Sequence, residues 1–328
     1  MLTENCNYRC DFCIRNNLSH QDNHISKDHI VDAMNILHHE YPNAILILTG
    51  GEPTIHPQFV EILNEAVSIF KYVQIASNGS FGEDVANNIS NLLAEKNLFL
   101  QMSLDGTKET HDSIRGHGAF DRVMRNLLRM NNYWNRVGLA ATVPPQNYEN
   151  IKQLAIYLND YKFHSFKVTS VVDHSDLFLK VFSNNRWNSL VDELLPLCNY
   201  NLVIQKILDF DLMDEVLNRD PNIRVTSNCG RGIQQIYVNS QMDVLACTCQ
   251  QETLGNILTD DFSEIKKRIK QSSIIQISPK SVCYKCKYVH ICNGGCPGYS
   301  THFWGEPNMG DIRCPIVKEH YLKTHQIR

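Results

Sequence analysis

From Ile25 to about Ser170, amphipathic stretches alternate with short aliphatic or β-branched runs, and this alternation restricts the fold more than any other feature of the chain. "SKDHIVDAMNILHHEY" carries a capping Ser26 and apolar residues at helical spacing, and "AILILTGGEP" is an apolar strand ending in a Gly-Gly turn. "PQFVEILNEAVSIF" reads as a helix with Pro57 in its first turn, followed by the strand "YVQIASNGS". The helix "EDVANNISNLLAEK", strand "LFLQMSLDG", helix "AFDRVMRNLLRMNNYW", strand "VGLAATVPP", helix "NYENIKQLAIYLND" and strand "SFKVTSVV" continue the pattern. Such alternation predicts right-handed βαβ units and a parallel sheet. About six repeats fall short of a complete eight-fold barrel, so the expected fold is α/β, a partial (β/α)6 TIM-like barrel. Its first strand is barely present, because only "MLTEN" precedes Cys6. Polar and Gly-rich signals collect where the strands end, at "TGGEP", "ASNGS" and "SLDG", and parallel α/β folds build their sites there.

The pattern changes further on. From Ser183 to Arg224 it is mostly helical; after Cys229 it is short, Cys-punctuated and Gly-containing, with "IQQIYVN" and "DVLAC" reading as a small hairpin. The expected division is a barrel over 1–182, a helical bridge over 183–228 and a small Cys-rich domain over 229–328.

The formal net charge is −4 over 328 residues, so no basic field favours nucleic acid or anionic lipid. No apolar run is long enough to cross a bilayer, and the N-terminus lacks a basic-then-apolar signal, which makes the cytoplasm the expected location. Twelve cysteines are many for such a compartment, where clustered thiols bind metal or do redox chemistry more often than they form disulfides. Three sit at the N-terminus, Cys198 stands alone, and the other eight lie between Cys229 and Cys314. Two metal-binding regions separated by a scaffold is the economical interpretation.

The N-terminal group, Cys6, Cys10 and Cys13 in "CNYRCDFC", has the spacing C-x3-C-x2-C. On a loop, three such thiolates can converge on three corners of a [4Fe–4S] cube and leave the fourth iron open. A partial zinc site completed by a distant residue is the alternative.

Together with this motif, "LTGGEP", "SNG" and "SLDGTKETHDSIRG" resemble the radical S-adenosylmethionine (SAM) enzymes over about Leu2 to Ser170. The resemblance implies that the open iron chelates the amino and carboxylate groups of SAM. One electron then cleaves a C–S bond and releases a 5′-deoxyadenosyl radical, which the site must shield from water. It implies cluster binding by Cys6, Cys10 and Cys13, and places the Phe12 backbone near the adenine. Gly50 and Gly51 would let backbone approach the methionine amino group, and Glu52 would accept hydrogen bonds from it. Ser77 and Asn78 would meet the ribose. Ser103 and Arg115 resemble the pair contacting ribose and carboxylate. For Arg115 the bland alternative is a surface helix-start cation. Thr169 and Val171 end a strand facing the site or simply fill the core, and His111 suits a structural helix-start role.

"CYKCKYVHICNGGCPGYS", with Cys229 and Cys247 before it and Cys314 after it, resembles the SPASM domain. That domain extends many peptide-modifying radical SAM enzymes and binds up to two auxiliary [4Fe–4S] clusters. By its pattern Cys229, Cys247 and Cys296 serve the first cluster, and Cys283, Cys286, Cys292 and Cys314 the second. A structural zinc ribbon is the bland rival. Two departures stand out: Met242 occupies a hairpin position where the family pattern has Gly, and "CTC" lacks the Asp that sulfatase-maturing members place after the second cysteine. Sulfatase maturation is therefore disfavoured. Cys249 is a fourth ligand to the first auxiliary cluster, a thiol that returns a hydrogen atom to a substrate radical, or an inert strand cysteine. Cys198 in "LLPLCNY" reads as a core residue.

The resemblance points to a ribosomal precursor peptide as substrate, with a thioether, carbon–carbon or cyclophane crosslink, or an epimerised residue, as product. An electron donor such as flavodoxin or ferredoxin would serve the cluster. Cys6 lies too near the N-terminus for the leader-gripping domain many relatives carry, so the leader is expected to bind elsewhere or through a separate protein. A small-molecule substrate and a non-catalytic iron–sulfur electron carrier or scaffold are the other readings.

Overall fold

The computed structural model describes residues 1–14, 24–95, 97–173, 175–224, 232–249 and 252–325. The chain divides into two units: Met1–Val172 with Asp192–Ile204 and Asn239–Met242, and Asp173–Val191 with Gln205–Val238 and Asp243–Arg328.

The first unit is built on β1 (Ile45–Leu48), β2 (Tyr72–Ser77), β3 (Leu98–Ser103), β4 (Val137–Val143), β5 (Ser165–Ser170) and β6 (Leu202–Val203), which lie in sequence order. Every adjacent pair is parallel, and each connection carries helix: α1 (Lys27–Glu40) precedes β1, then α2 (Phe59–Ile69), α3 (Glu83–Glu95), α4 (Lys108–Arg115), α5 (Ala119–Arg129) and α6 (Tyr148–Tyr157) follow. Ser26 caps α1 as expected, its hydroxyl accepting from the His29 N–H at 3.3 Å. Pro57 stands just ahead of α2, whose cap is Gln58, rather than in its first turn.

Burial alternates along the strands. In β2 and β4 every second residue is buried and the others stay half-open, including Gln74, Ala76, Ala140 and Thr142. The buried set packs under the helices, so the half-open set, with Gln101 and Ser103 of β3, forms the other face. A sheet covered on both faces would bury both sets, so this face is the accessible one.

One element went unread in the sequence, and another was read as barely present. The two-residue β6 lies inside the stretch that reads as helical, too short to show a period. The missing first strand is the segment Leu2–Asn5, which runs beside the end of β1: Leu2 N–H bonds to Thr49 O at 2.7 Å, Gly51 N–H to Thr3 O at 2.8 Å and Glu52 N–H to Asn5 O at 2.8 Å.

The second unit contains α7 (Asp176–Val181), most of α8 (Asn184–Leu194), α9 (Phe210–Arg219) and an antiparallel sheet of β7 (Tyr237–Val238), β8 (Asp243–Leu245) and β9 (Thr253–Asn256). β7 and β8 are the expected hairpin. Met242, in its turn, has φ 66°, the left-handed conformation a glycine adopts without strain. Then come α10 (Phe262–Ser273), α11 (Val289–Cys292), α12 (Pro297–Trp304) and α13 (Pro315–Thr324). Trp187 and the stacked rings of Phe178, Phe182 and Tyr299 form its aromatic core.

Candidate active site

At the carboxyl ends of β1 to β3 the first unit gathers most of the residues singled out from its sequence. Glu52 caps the short turn after β1 and is wholly buried. Its Oε1 accepts from Thr54 N at 3.2 Å, Thr54 Oγ1 at 2.6 Å and Ser77 Oγ at 2.8 Å. Among the described residues Oε2 accepts only from Asn78 N, at 2.6 Å. Burial pushes the carboxyl up against the pull of these donors. Glu52 thereby ties the end of β1 to the end of β2, and Oε2 keeps acceptor capacity.

Ser77 and Asn78 are spent on protein partners. Ser77 Oγ donates to Glu52 and accepts from Gly79 N at 3.0 Å. Asn78 Nδ2 donates to Asn7 Oδ1 at 2.8 Å and lies 3.9 Å from Cys6 Sγ, while its Oδ1 accepts from Ser80 N at 2.9 Å. Asn78 thus holds the cysteine loop to the end of β2, while Ser77 ties that end to Glu52.

The two glycines also have a job inside the fold. A Cβ on Gly51 would lie 2.2 Å from Asn5 O, and one on Gly50 2.6 Å from Thr3 O. What they admit is the backbone of the segment leading into Cys6, which sets where the loop starts.

On the loop itself, Tyr8, Cys10 and Ala119 form a buried cluster, with Cys6, Phe12 and Ile114 packed against it. Arg122 donates to Tyr8 Oη at 3.1 Å. Cys13 is exposed, and its N–H bonds to Cys10 O at 3.0 Å. Burial pushes the Cys10 thiol up to about 11 and raises that of Cys6; Cys10 feels both other thiols, Cys6 feels Cys13, and Arg115 opposes both rises. Three thiols and one cation share this electrostatic neighbourhood.

Arg115 ends α4 and its side chain is 11% exposed, so it is not the surface helix-start cation of the bland alternative. Its Nε bonds to Asp105 Oδ2 at 2.5 Å, and its two terminal nitrogens have no partner among the described residues. Asp105 is wholly buried, and its Oδ1 accepts from Thr142 N at 2.9 Å. His111, also wholly buried within α4, accepts the Asp105 N–H on Nδ1 at 3.0 Å, so its proton sits on Nε2, which has no hydrogen-bond partner among the described residues. Burial lowers its pKa to about 4 and keeps the ring neutral.

Asp105 was the residue that sequence reasoning passed over. Its signal was there, an acid two places beyond Ser103 at a strand end. Ser103 Oγ is 3.4 Å from Ser77 O. Thr169 is exposed and donates to Ala141 O at 3.1 Å, whereas Val171 is buried. Cys198 is half-buried beside Tyr200 rather than in the core.

In the second unit, Cys283, Cys286, Cys292 and Cys314 line one small cavity, whose other walls include Leu208, Phe210, Val282, Val289, Ile316 and Val317. Burial pushes Cys292 to about 12 and Cys314 to about 11. Asn293, Gly294 and Gly295 all have positive φ, between 45° and 75°, which turns the chain sharply between Cys292 and Cys296. Asp311 locks this turn, its N–H bonding to Gly294 O at 2.8 Å and its Oδ2 accepting from Cys296 N at 2.9 Å. Cys296 and Cys314 cap α12 and α13, each followed by proline at the first helical position. The positive helix end favours a thiolate there. Cys229 lies outside the described residues.

Residues 1–158 match the model of the radical SAM superfamily. The chain is similar to the antilisterial bacteriocin subtilosin biosynthesis protein AlbA of Bacillus subtilis, 24% identical over 90% of this chain and 65% of that one. It is 27% identical to Fe-coproporphyrin III synthase of Methanosarcina barkeri over 97% of this chain and 87% of that one. Among solved structures it is similar to SuiB of Streptococcus suis bound to precursor peptide SuiA, with TM-score 0.75 and 18% identity over 94% of this chain and 74% of that one. The chain thus spans slightly under two thirds of the length of the subtilosin protein.

Its first 158 residues are a radical SAM domain. Its cofactors are a [4Fe–4S] cluster and S-adenosylmethionine.

The donor sets fit such a group. Both regions present thiols on short loops with apolar surroundings, and the second encloses four of them around one cavity. Among the described residues no three His, Cys, Asp or Glu side chains are gathered as ligands of a single metal ion. A cube takes one thiolate at each of its separate irons.

Proposed function

We propose that the protein is a peptide maturase that removes hydrogen from a residue of a ribosomally made precursor, giving a thioether, a carbon–carbon or cyclophane crosslink, or an epimerised residue. The observation that carries this reading is the N-terminal loop, where Cys6, Cys10 and Cys13 share one electrostatic neighbourhood with Arg115 beside the strand ends. Bound there, the cluster and SAM together supply a 5′-deoxyadenosyl radical, which takes a hydrogen atom from an unactivated C–H bond.

The chain's own residues bind, orient and shield. Cys6, Cys10 and Cys13 would hold three irons. Asp105 fixes Arg115 by Nε, so that the terminal nitrogens face an incoming carboxylate. Glu52 Oε2 offers its remaining acceptor capacity to an ammonium. Gly50 and Gly51 set the loop's start, Asn78 braces it, and Ser103 with the Phe12 backbone would meet the nucleoside part. Tyr8, Phe12 and Ile114 make the apolar wall that keeps water from the loop.

In the second unit Cys283, Cys286, Cys292 and Cys314 would hold one auxiliary cluster, and Cys229, Cys247 and Cys296 would serve another. The division into a barrel over 1–182, a helical segment over 183–228 and an auxiliary-cluster domain over 229–328 follows from this assignment. The peptide class is supported by the cavity of four thiols and by likeness to AlbA and to SuiB, which was solved with a precursor peptide. An electron donor such as flavodoxin or ferredoxin and a separate leader-binding protein complete the reading, and the cytoplasm is its compartment. Among the described residues no helix is long and apolar enough to cross a membrane.

A small-molecule substrate is the second reading, favoured by the likeness to Fe-coproporphyrin III synthase. One experiment separates the two. Reconstituted protein is incubated anaerobically with reductant, SAM and the precursor encoded beside its gene, and the peptide is weighed. Loss of two hydrogen atoms, or uptake of one deuterium from heavy water, is the expected result. 5′-Deoxyadenosine formed while the peptide mass stays unchanged in both solvents would count against the peptide reading.

A further inference from the structure

We infer that Cys249 is an iron ligand, completing with Cys247 and Cys296 a thiol group distinct from the cavity of Cys283, Cys286, Cys292 and Cys314. The inference rests on the auxiliary-cluster reading proposed above.

Three observations place the side chain. The Cys249 N–H donates to Cys247 Sγ at 3.3 Å, so the chain folds back over the first thiol and brings the second beside it. Gly298, the second residue of α12, supplies the next. A Cβ there would lie 2.9 Å from Cys249 Cβ and 3.6 Å from Cys296 Sγ. Cys249 and Cys296 therefore share the space that the missing side chain leaves open on the first turn of α12. Finally, Cys247, Cys249 and Cys296 are all half-buried, and Cys249 interacts with both of the others.

The two rival roles fit less well. An inert cysteine needs no second thiol beside it, as Cys198 shows with Tyr200 as its partner, yet Cys249 is set against two further thiols. A thiol that returns a hydrogen atom to a substrate has to reach that substrate, and this one is turned toward Cys247 and Cys296. On ligation Cys249 gives its S–H proton to solvent and forms an Fe–S bond, with no change in electron count.

The test is an alkylation footprint of the reconstituted full chain, read cysteine by cysteine by mass spectrometry, with and without iron. Cys247, Cys249 and Cys296 should be shielded together in the loaded protein and react together once a chelator strips the iron, while Cys198 reacts alike in both. Cys249 reacting at its iron-free rate while Cys247 and Cys296 stay shielded would overturn the inference alone. All three reacting at the iron-free rate in loaded protein would overturn the auxiliary-cluster reading and the inference with it. A Cys249→Ala variant adds a second measurement: about four irons fewer per chain are expected. A Cys249→Ser variant that keeps its iron should show an altered paramagnetic resonance spectrum in the reduced state, because an alkoxide replaces a thiolate. Full iron in the Ala variant with an unchanged spectrum would also overturn the assignment.

Discussion

In the first unit a parallel sheet satisfies the backbone, and Val73, Ile75, Leu98, Leu100, Val137, Leu139 and Phe166 are each at most 1% exposed. In the second, the stretch from Val282 to Cys314 has no strand, a helix of four residues and one of eight, three successive left-handed residues, and four thiols around a cavity. One region has a core that owes nothing to a metal. The other sets four thiols around a cavity, and a short loop-rich segment that binds a metal group draws folding free energy from it. The same residue type thus has unlike settings in the two regions: three N-terminal thiols lie beside the ends of a packed parallel sheet, whereas four C-terminal thiols surround a cavity in a segment without strands.

The largest effect should come from removing iron. Hydrogen exchange of chelator-treated protein should show amides over 283–314 losing protection by at least about a hundredfold, with β2 to β4 unchanged. Equal loss in both regions would erase the contrast between them. Next is Gly51→Ala, whose methyl meets the Asn5 carbonyl at 2.2 Å. It should displace the cysteine loop and cut 5′-deoxyadenosine formation more than about tenfold, while the sheet melts within a few degrees of wild type. Wild-type turnover would show that the loop is not set by this contact.

His111 supplies a pH test confined to the first unit. Its folded pKa, lowered to about 4, lies below its ordinary 6.5, so the unfolded chain binds the proton first as pH falls. Its contribution is intact above pH 6.5 and is lost on the way down to about pH 4, to a total of up to about 3 kcal/mol. Denaturant titrations of wild type and His111→Asn across that window should differ in slope by this amount; parallel curves would mean that the ring is already charged in the folded state. The smallest effect is Thr169→Ala, an exposed position with one bond to Ala141 O, which should change stability by no more than about 0.5 kcal/mol.

Much of the first unit was legible because its period is local. β2 to β5 and their helices were readable from alternation and capping, as Ser26 shows. β6, with two residues, and α4, with a buried His111 in a polar run, carry no such period and were not. In the site, spacing exposed the thiols, and the resemblance to the radical SAM enzymes pointed to Gly50, Gly51, Glu52 and Arg115. They did not expose how Ser77, Asn78 and Glu52 spend their bonds on one another, nor Asp105 behind Arg115.

By itself the sequence determined the class of fold, the chemistry of the donors and where along the chain they fall. These depend on side-chain periodicity and on the number of thiols, and both are written within a few residues. Only the tertiary structure decided that Gly51 makes room for Asn5, that Asp105 holds Arg115, and that Gly298 leaves space for Cys249 beside Cys296. Each of these joins residues many positions apart, and their approach is fixed by how the backbone folds around them, not by any pattern between them.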